Sequence, residues 1–378
     1  VTVPFLDLRA QDAEVGAAVR EAVAAVLDSQ QFVLGPHLER FEAAMAAWCG
    51  VPHALGVGSG TDALALGMAA CGVGPGTRVL TSPFTFFATA STIARLGARP
   101  VFADVDPVTL NLDPVAVDAI LQHDPRGIVG ILPVHLFGRL APMEALGAVA
   151  ARHGLWMLED AAQAVGARAG GRRAGTFGRA AALSFYPTKN LGGIGDGGML
   201  LTTDDAVAAQ VRRDRNQGIV RPYEHDALGL CSRLDALQCA ALGAKLPHLD
   251  DWNARRRAVA GWYGERLRAR GLAGHPAAPL QLPEPDGEAH VFHVYTMRAQ
   301  ARDELVRHLT RAGIGSQVYY RVPLHRQRAL AAVSDVPLGV PEAERAADEV
   351  VALPLFPQLT TAQVDVVVDA IAAFYERR

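Results

Sequence analysis

Only two lysines occur in 378 residues, Lys189 and Lys245; nearly every other basic position is Arg. Lys189 sits in the run from Ser184 to Gly198, among small and apolar residues and five glycines. Desolvation lowers the pKa of an amine, and a primary amine can form an imine where a guanidinium cannot. The glycines permit turns and close approach of a ligand. A surface lysine on a flexible loop fits the same run. A second signal lies upstream, where the apolar stretch from Leu155 ends in Glu159 and Asp160, with Gln163 just beyond. A carboxylate there can stay ionised beside a cation. A protonated ring nitrogen is one such cation, and the pairing strengthens the ring as an electron sink. A helix N-cap or a metal ligand fits this pattern too.

Two further stretches bear on an anionic, flat ligand. Gly58, Ser59, Gly60, Thr61 and Asp62 stand between an apolar run and a helical one. Small residues let backbone N–H groups approach an anion, and the helix N-terminus adds partial positive charge. A plain strand-to-helix turn capped by Thr or Asp has the same composition. The spacing is neither a dinucleotide fingerprint nor a P-loop. The stretch Thr81–Thr89 holds Phe86, whose ring could stack on a flat cofactor or fill the core.

These residues need strands and helices to present them. The periodicity predicts helices over 13–29, 37–49, 62–70, 86–96, 114–122 and 143–153. Short apolar runs predict strands over 54–58, 78–82, 100–104, 127–133 and 155–159. Alternation of this kind argues for an α/β fold, with a mostly parallel sheet covered by helices. Ligands in such folds bind beyond the carboxyl ends of the strands. The rhythm weakens after about residue 200. Residues 234–270 read as helical with a break at Pro247, 291–298 as a strand, 303–312 as a helix, 315–321 as a strand and 361–376 as a closing helix. We expect an extended arm over 1–12, a large domain over 13–247 and a smaller α/β domain over 248–378.

Half of the residues are hydrophobic and a fifth are charged, with a formal net charge of -3. This balance gives no sign of a nucleic-acid-binding face. The cluster Arg255, Arg256 and Arg257 reads as a solvated helix face. Cys49, Cys71, Cys231 and Cys239 form no C-x-x-C pair, so no zinc site is expected. The run from Val1 to Leu8 lacks a basic start followed by an apolar stretch, and no apolar run approaches the roughly 20 residues of a bilayer span. A soluble, cytoplasmic protein without membrane or nucleic-acid partners is expected.

Taken together, the motifs G-S-G-T-D-A-L, E-D-A-A-Q, S-F-Y-P-T-K-N-L-G and G-D-G-G resemble the DegT/DnrJ/EryC1/StrS sugar aminotransferases, fold-type I enzymes dependent on pyridoxal 5'-phosphate (PLP). The resemblance spans almost the whole chain. It implies that Gly60, Thr61 and the backbone of Asp62 hold the cofactor phosphate, helped by Ser184. It implies that Phe86 stacks on the ring, that Asp160 pairs with the ring nitrogen and that Gln163 lies near the phenolic oxygen. Lys189 is then the catalytic residue, carrying the Schiff base and afterwards shuttling protons. Near the C-terminus the family pattern H-Y-P-x-P-L-H is matched at Tyr320, Pro323, Leu324 and His325, but not at Tyr319 and Arg321. Tyr320 and His325 are candidates for substrate contact.

The family also carries G-x-N-x-R in a loop that reaches the neighbouring subunit's phosphate, so a homodimer is implied. Here Gly229 to Arg233 has Cys231 at the asparagine position. A thiol is a weak donor, which weakens that contact; Arg233 or Ser232 could compensate. The loop after Lys189, with Asp196, resembles members that aminate C3 of a TDP- or UDP-linked keto-hexose; members acting at C4 more often carry Glu there. L-Glutamate is the expected amino donor. Related dehydrases lose the Schiff-base lysine, which this chain keeps. A non-catalytic PLP-binding regulator would be expected to lose part of the Asp160, Gln163 and Lys189 set.

Overall fold

The computed structural model describes residues 2–377. A seven-stranded sheet forms the centre, in the order His53–Val57, Gly198–Thr202, Ala180–Ser184, Trp156–Asp160, Ile128–Leu132, Arg78–Thr81 and Arg99–Phe102. Gly198–Thr202 runs antiparallel to both neighbours. The remaining pairings are parallel. The strands are fully buried or nearly so, as expected of a sheet covered on both faces. Its apolar side chains meet Leu64, Leu66 and Met68 of the helix Gly60–Ala70 on one side. Each such side chain contributes about 1.5–3 kcal/mol on burial. Gly67 lets this helix close on the sheet, because a Cβ there would lie 2.6 Å from Leu200 Cδ1 and 2.9 Å from Leu158 Cδ1. The N-terminus of that helix is thereby held beside the ends of the central strands.

The first helix, Leu8–Ser29, starts five residues before its expected position. Asp7 explains the shift, since its carboxylate accepts from the Arg9 and Ala10 N–H groups at 2.9 and 3.1 Å, an N-cap that stops the extended arm short of residue 12. Residue 1 of that arm lies outside the described residues. Two strands, Ala180–Ser184 and Gly198–Thr202, and the helix Asp205–Asp214 are elements that the periodicity does not predict. Ala180, Ala181 and Ala182 carry little of the β-branched signal that marks a strand.

A second, three-stranded antiparallel sheet joins Leu280–Gln281, Tyr295–Ala299 and Val350–Leu353. Arg302–Arg311 and Thr361–Tyr375 cover it. Thr361–Tyr375 opens with a full capping box, Thr360 and Gln363 bonding each other's backbone N–H. The expected strand over 315–321 is absent. Only Gln317 pairs, with Ala352, after which Tyr319 and Tyr320 pack on Phe5 and Phe84 instead of alternating in a ladder. The helix Leu249–Ala269 belongs to two cores. Leu249 joins the apolar cluster of the large sheet, whereas Val259, Tyr263 and Leu267 join that of the small one. Its arginines are not one solvated face. Arg255 pairs with Glu14 and Asp251 near the surface. Arg256 is buried, bonding the carbonyls of Phe292, His293 and Leu355. Among the described residues no helix is long and apolar enough to cross a membrane.

Candidate active site

Asp160 ends the strand Trp156–Asp160 and is 5% exposed. Its Oδ2 accepts from the Thr89 hydroxyl at 2.8 Å and its Oδ1 from the Ala162 N–H at 3.3 Å. Burial pushes its pKa up; these two donors and the positive charge of Lys189 push back without winning. The carboxylate is thus short of one cation. Lys189 follows the turn after Ala180–Ser184, where its N–H bonds the Tyr186 carbonyl at 2.8 Å. Burial lowers its pKa to about 8, partly opposed by Asp160. Among the described residues no group bonds its Nζ, although Asp160 acts on it through space.

The turn before the helix Gly60–Ala70 differs from the expectation at one amide. Ser59 caps the helix Gly60–Ala70 by accepting from the Asp62 N–H at 3.1 Å, so that amide is already engaged. First-turn amides of a helix have no intrahelical partner, which leaves the Gly60 and Thr61 N–H groups open to an anion. Ser184 stands against this turn: a Cβ on Gly60 would lie 2.8 Å from the Ser184 Cβ. The Asp62 carboxylate accepts from the Ser232 hydroxyl at 2.9 Å, and the Ser232 oxygen accepts from the Gly58 N–H at 3.0 Å.

Gln163 is fixed at both ends. Its oxygen accepts from the Phe137 N–H at 2.7 Å and its Nε2 donates to the Tyr320 hydroxyl at 3.0 Å. Tyr320 in turn lies 6.5 Å, ring to ring, from Phe86. Phe86 is 58% exposed, the behaviour of a ring that awaits a partner and not of a core residue. Tyr320 is therefore brought to the site. His325 is not bonded to this set. It sits in the turn Leu324–Arg326, whose first N–H bonds the Pro83 carbonyl at 2.8 Å, and its Nε2 lies 2.9 Å from Glu344 Oε1. Its Nδ1 is buried without a partner. Cys231 and Arg233 form a local pair: Arg233 donates to Cys231 Sγ at 2.9 Å and to Asn216 Oδ1 at 2.8 Å.

Several site residues escaped the sequence. Thr89 lies one turn beyond Phe86, so the two share a helix face, and that spacing could have revealed it. Glu159 and His135 needed the fold. Glu159 is fully buried and accepts from the N–H groups of Gly175, Phe177 and Gly178 and from His135 Nε2. The Ala141 N–H donates to His135 Nδ1 at 3.0 Å. The imidazole proton therefore sits on Nε2, and the ring is neutral. The backbone N–H of His135 bonds the Asp160 carbonyl at 3.0 Å, so this pair holds Asp160 from behind.

PLP fits these residues. The buried, under-compensated carboxylate of Asp160 suits its ring nitrogen, the exposed ring of Phe86 suits its face, the turn at Gly60 and Ser184 suits its phosphate, and a lysine of lowered pKa suits its aldehyde. Among the described residues no group of three or more His, Cys, Asp or Glu is placed to hold a metal ion.

A mostly parallel sheet with an aspartate at one strand end and, in the turn after the neighbouring strand, a lysine on which it acts through space fits a PLP-dependent aminotransferase. The chain belongs to the DegT/DnrJ/EryC1/StrS aminotransferase family, which it matches over residues 14–372. It is 46% identical to a protein of Geobacillus stearothermophilus named pleiotropic regulatory protein, with 99% of each chain covered. It is 44% identical to the dTDP-3-amino-3,4,6-trideoxy-alpha-D-glucose transaminase of Streptomyces venezuelae, over 99% of this chain and 97% of that one. The crystal structure of S. venezuelae DesV in complex with a ketimine intermediate superposes with a TM-score of 0.93 at 43% identity, covering 100% of this chain and 99% of that one.

Proposed function

We propose that this aminotransferase moves an amino group from L-glutamate to C3 of a TDP- or UDP-linked keto-hexose. The observation that carries the reading is the combination of Asp160, a buried carboxylate held by only two donors, with Lys189, an amine whose pKa burial lowers to about 8 and on which Asp160 acts through space. When bound, PLP supplies the electron sink for the pair released at the reacting carbon. Asp160, oriented by Thr89, would hold the ring nitrogen protonated. Lys189, with a pKa of about 8, has a neutral fraction able to take a proton from one carbon and return it to another. Phe86 would cover one ring face, Gly60, Thr61 and Ser184 would bind the phosphate, and Gln163 would face the phenolic oxygen. Tyr320, which bonds Gln163, and His325, which is held by Glu344 with its Nδ1 buried, are the candidates for substrate contact. The C3 preference is supported by the Asp196 loop and by the 44% identical relative named as a 3-amino-sugar transaminase.

We further propose a homodimer. The hairpin of Ile219–Arg221 and Glu224–His225 exposes Tyr223, the segment after it exposes Leu228 and Leu230, and Phe86, Phe87, Tyr186 and Ile194 are exposed as well. Apolar surface of this kind fits a second copy, with Cys231 and Arg233 at the base of the reaching loop. The division into 13–247 and 248–378 is also a proposal, with Leu249–Ala269 as the helix shared by both units. The four free cysteines suit the reducing cytoplasm.

The test is the visible spectrum of the purified protein, with Lys189→Ala as control, followed by side-by-side assays of 3-keto and 4-keto nucleotide sugars. A cofactor band that L-glutamate bleaches and the variant lacks is expected, as is turnover of the 3-keto sugar. A clear preference for the 4-keto sugar overturns the C3 assignment. A second reading, a PLP-binding regulator without turnover, has the name of the Geobacillus relative in its favour; a band that glutamate leaves unchanged would support it.

A further inference from the structure

Ser232 is 2% exposed, and its hydroxyl meets two groups at the start of the helix Gly60–Ala70. The Gly58 N–H lies 3.0 Å from the Ser232 oxygen, and Asp62 Oδ2 lies 2.9 Å from it. A backbone N–H only donates, so the single hydroxyl proton goes to Asp62. The residue that makes both bonds is itself held. The Ser232 N–H bonds the Arg215 carbonyl at 2.9 Å. Arg215 is buried and bonds the Gly56 carbonyl at 2.8 Å and the carboxylate of Glu42, which also accepts from the Gly56 N–H at 2.7 Å. A Cβ on Gly56 would lie 3.0 Å from the Leu234 Cβ, so the chain just after Ser232 lies directly on the strand His53–Val57.

The turn needs such a hold because two anions contend for it. Asp62 stands in the first turn of the helix, where a carboxylate is drawn to the helix N-terminus. The open amides there, those of Gly60 and Thr61, are the ones a phosphate would use. In the structure the carboxylate is held at the other end of the turn. Asp62 Oδ2 lies 3.0 Å, and Ser232 Oγ 3.5 Å, from where a Gly58 Cβ would stand, whereas Ser184 lies against Gly60. A side chain at position 58 would press on the Asp62–Ser232 bond, which accounts for glycine there.

We propose that Ser232 is a positioning residue for the phosphate turn of its own chain: its hydroxyl binds the Asp62 carboxylate at the Gly58 end and so leaves the Gly60 and Thr61 amides to the cofactor phosphate. The inference rests on the reading of that turn as the phosphate site. It gives Ser232 work within one subunit, distinct from a reach by its neighbours Cys231 and Arg233 into the partner's site.

Comparing PLP with pyridoxal, which lacks the phosphate, isolates this contribution. Absorbance titration of the cofactor-free full chain gives the dissociation constant of each, in wild type, Ser232→Ala, Asp62→Asn and the double variant. Ser232→Ala is expected to weaken PLP binding roughly tenfold, the effect of losing one hydrogen bond to a charged group, and to leave pyridoxal binding unchanged. The unchanged pyridoxal affinity and the melting temperature report that the site is folded. Ser232→Cys, close in size but a weak donor, gives the same pattern at smaller amplitude and serves if the alanine variant does not fold. The double variant is expected to match Asp62→Asn alone, because without the carboxylate nothing contends with the phosphate. Unchanged PLP affinity in folded Ser232→Ala overturns the proposal. Equal losses for PLP and pyridoxal also overturn it, since they reduce Ser232 to general support of the site. Additive losses in the double variant overturn it too, and would assign Ser232 to the partner's phosphate. The wild type tests the underlying reading: pyridoxal binding as tight as PLP would sink the phosphate turn itself, whereas a strong preference for PLP that Ser232→Ala leaves intact would sink only the role of Ser232.

Discussion

Glu159 and Asp160 are consecutive buried carboxylates at the end of one strand, yet their surroundings differ. Successive residues of a strand face opposite sides of a sheet. On one side Glu159 meets four donors: three loop N–H groups and His135 Nε2. On the other, Asp160 meets two, from Thr89 and Ala162, and burial still raises its pKa. The lysines divide in the same way. Lys245 donates to the Gly192 carbonyl at 2.7 Å from the last turn of Ala236–Lys245, and so ties down the loop after Lys189. Lys189 has no such partner. A buried charge with its bonds complete shapes the site, whereas one left short of a partner is available for chemistry.

Exchanging each carboxylate for its amide should separate the two roles. Asp160→Asn is expected to cost about a hundredfold or more in turnover, because an amide cannot hold a ring nitrogen protonated, with little change in melting temperature. Glu159→Gln is expected to do the reverse. It replaces an acceptor of four bonds by a group with one acceptor oxygen, at a cost of about 2–4 kcal/mol in stability, while folded molecules keep near-wild-type turnover. Thermal unfolding and steady-state rates on both variants check this. Equal losses of turnover in the two would remove the distinction.

The lysines give a smaller effect, readable in pH. Lys189 has a folded-state pKa of about 8 against an ordinary value of 10.5. Between those values the unfolded chain binds the extra proton, so the stability of the cofactor-free protein should rise with pH across that window. The two values bound the gain at about 3 kcal/mol, and the partial exposure of Lys189 reduces it to about 1–2 kcal/mol. Lys189→Met should flatten that part of the profile. Chemical denaturation at pH values from about 7 to about 10.5 checks it; an equally steep rise in the variant would assign the slope to Lys245 or another group.

Much of the cofactor side was legible in the sequence because it is local. Gly60 and Asp160 sit at a helix start and a strand end, where a run of ten residues suggests both the element and the chemical group; Ser184 and Lys189 stand out by their motif, although the strand before them does not. The supports were not legible, because they join distant segments. Asn253 and Arg256 lie one turn apart on a helix whose start reads D-D-W-N-A-R-R-R, a composition that suggests solvent. Only the fold shows that one face of that turn enters the site floor, where Asn253 meets Asn190 and Arg256 meets the His293 carbonyl. The second half of the chain was harder for a related reason. Its elements are short, and Tyr320 reaches the site from a segment that leaves its sheet after a single bridge at Gln317.

The same division between local and distant donors applies to the phosphate end. Gly60, Thr61 and Ser184 come from one chain, whereas the loop with Cys231 and Arg233 is proposed to reach the partner's site. Arg233 already bonds both Cys231 Sγ and Asn216 Oδ1, so one contact available to an incoming phosphate is spent on a weak acceptor. Cys231→Asn would add an amide donor at that position. One added hydrogen bond is worth about 1 kcal/mol, so PLP should bind roughly fivefold more tightly. Spectrophotometric titration of cofactor-free protein, with the dimer concentration held fixed, measures this. A fivefold gain in the dimer would show that the distant loop completes the cradle. An unchanged affinity would mean that Gly60, Thr61 and Ser184 hold the phosphate without it, and that the thiol costs the site nothing.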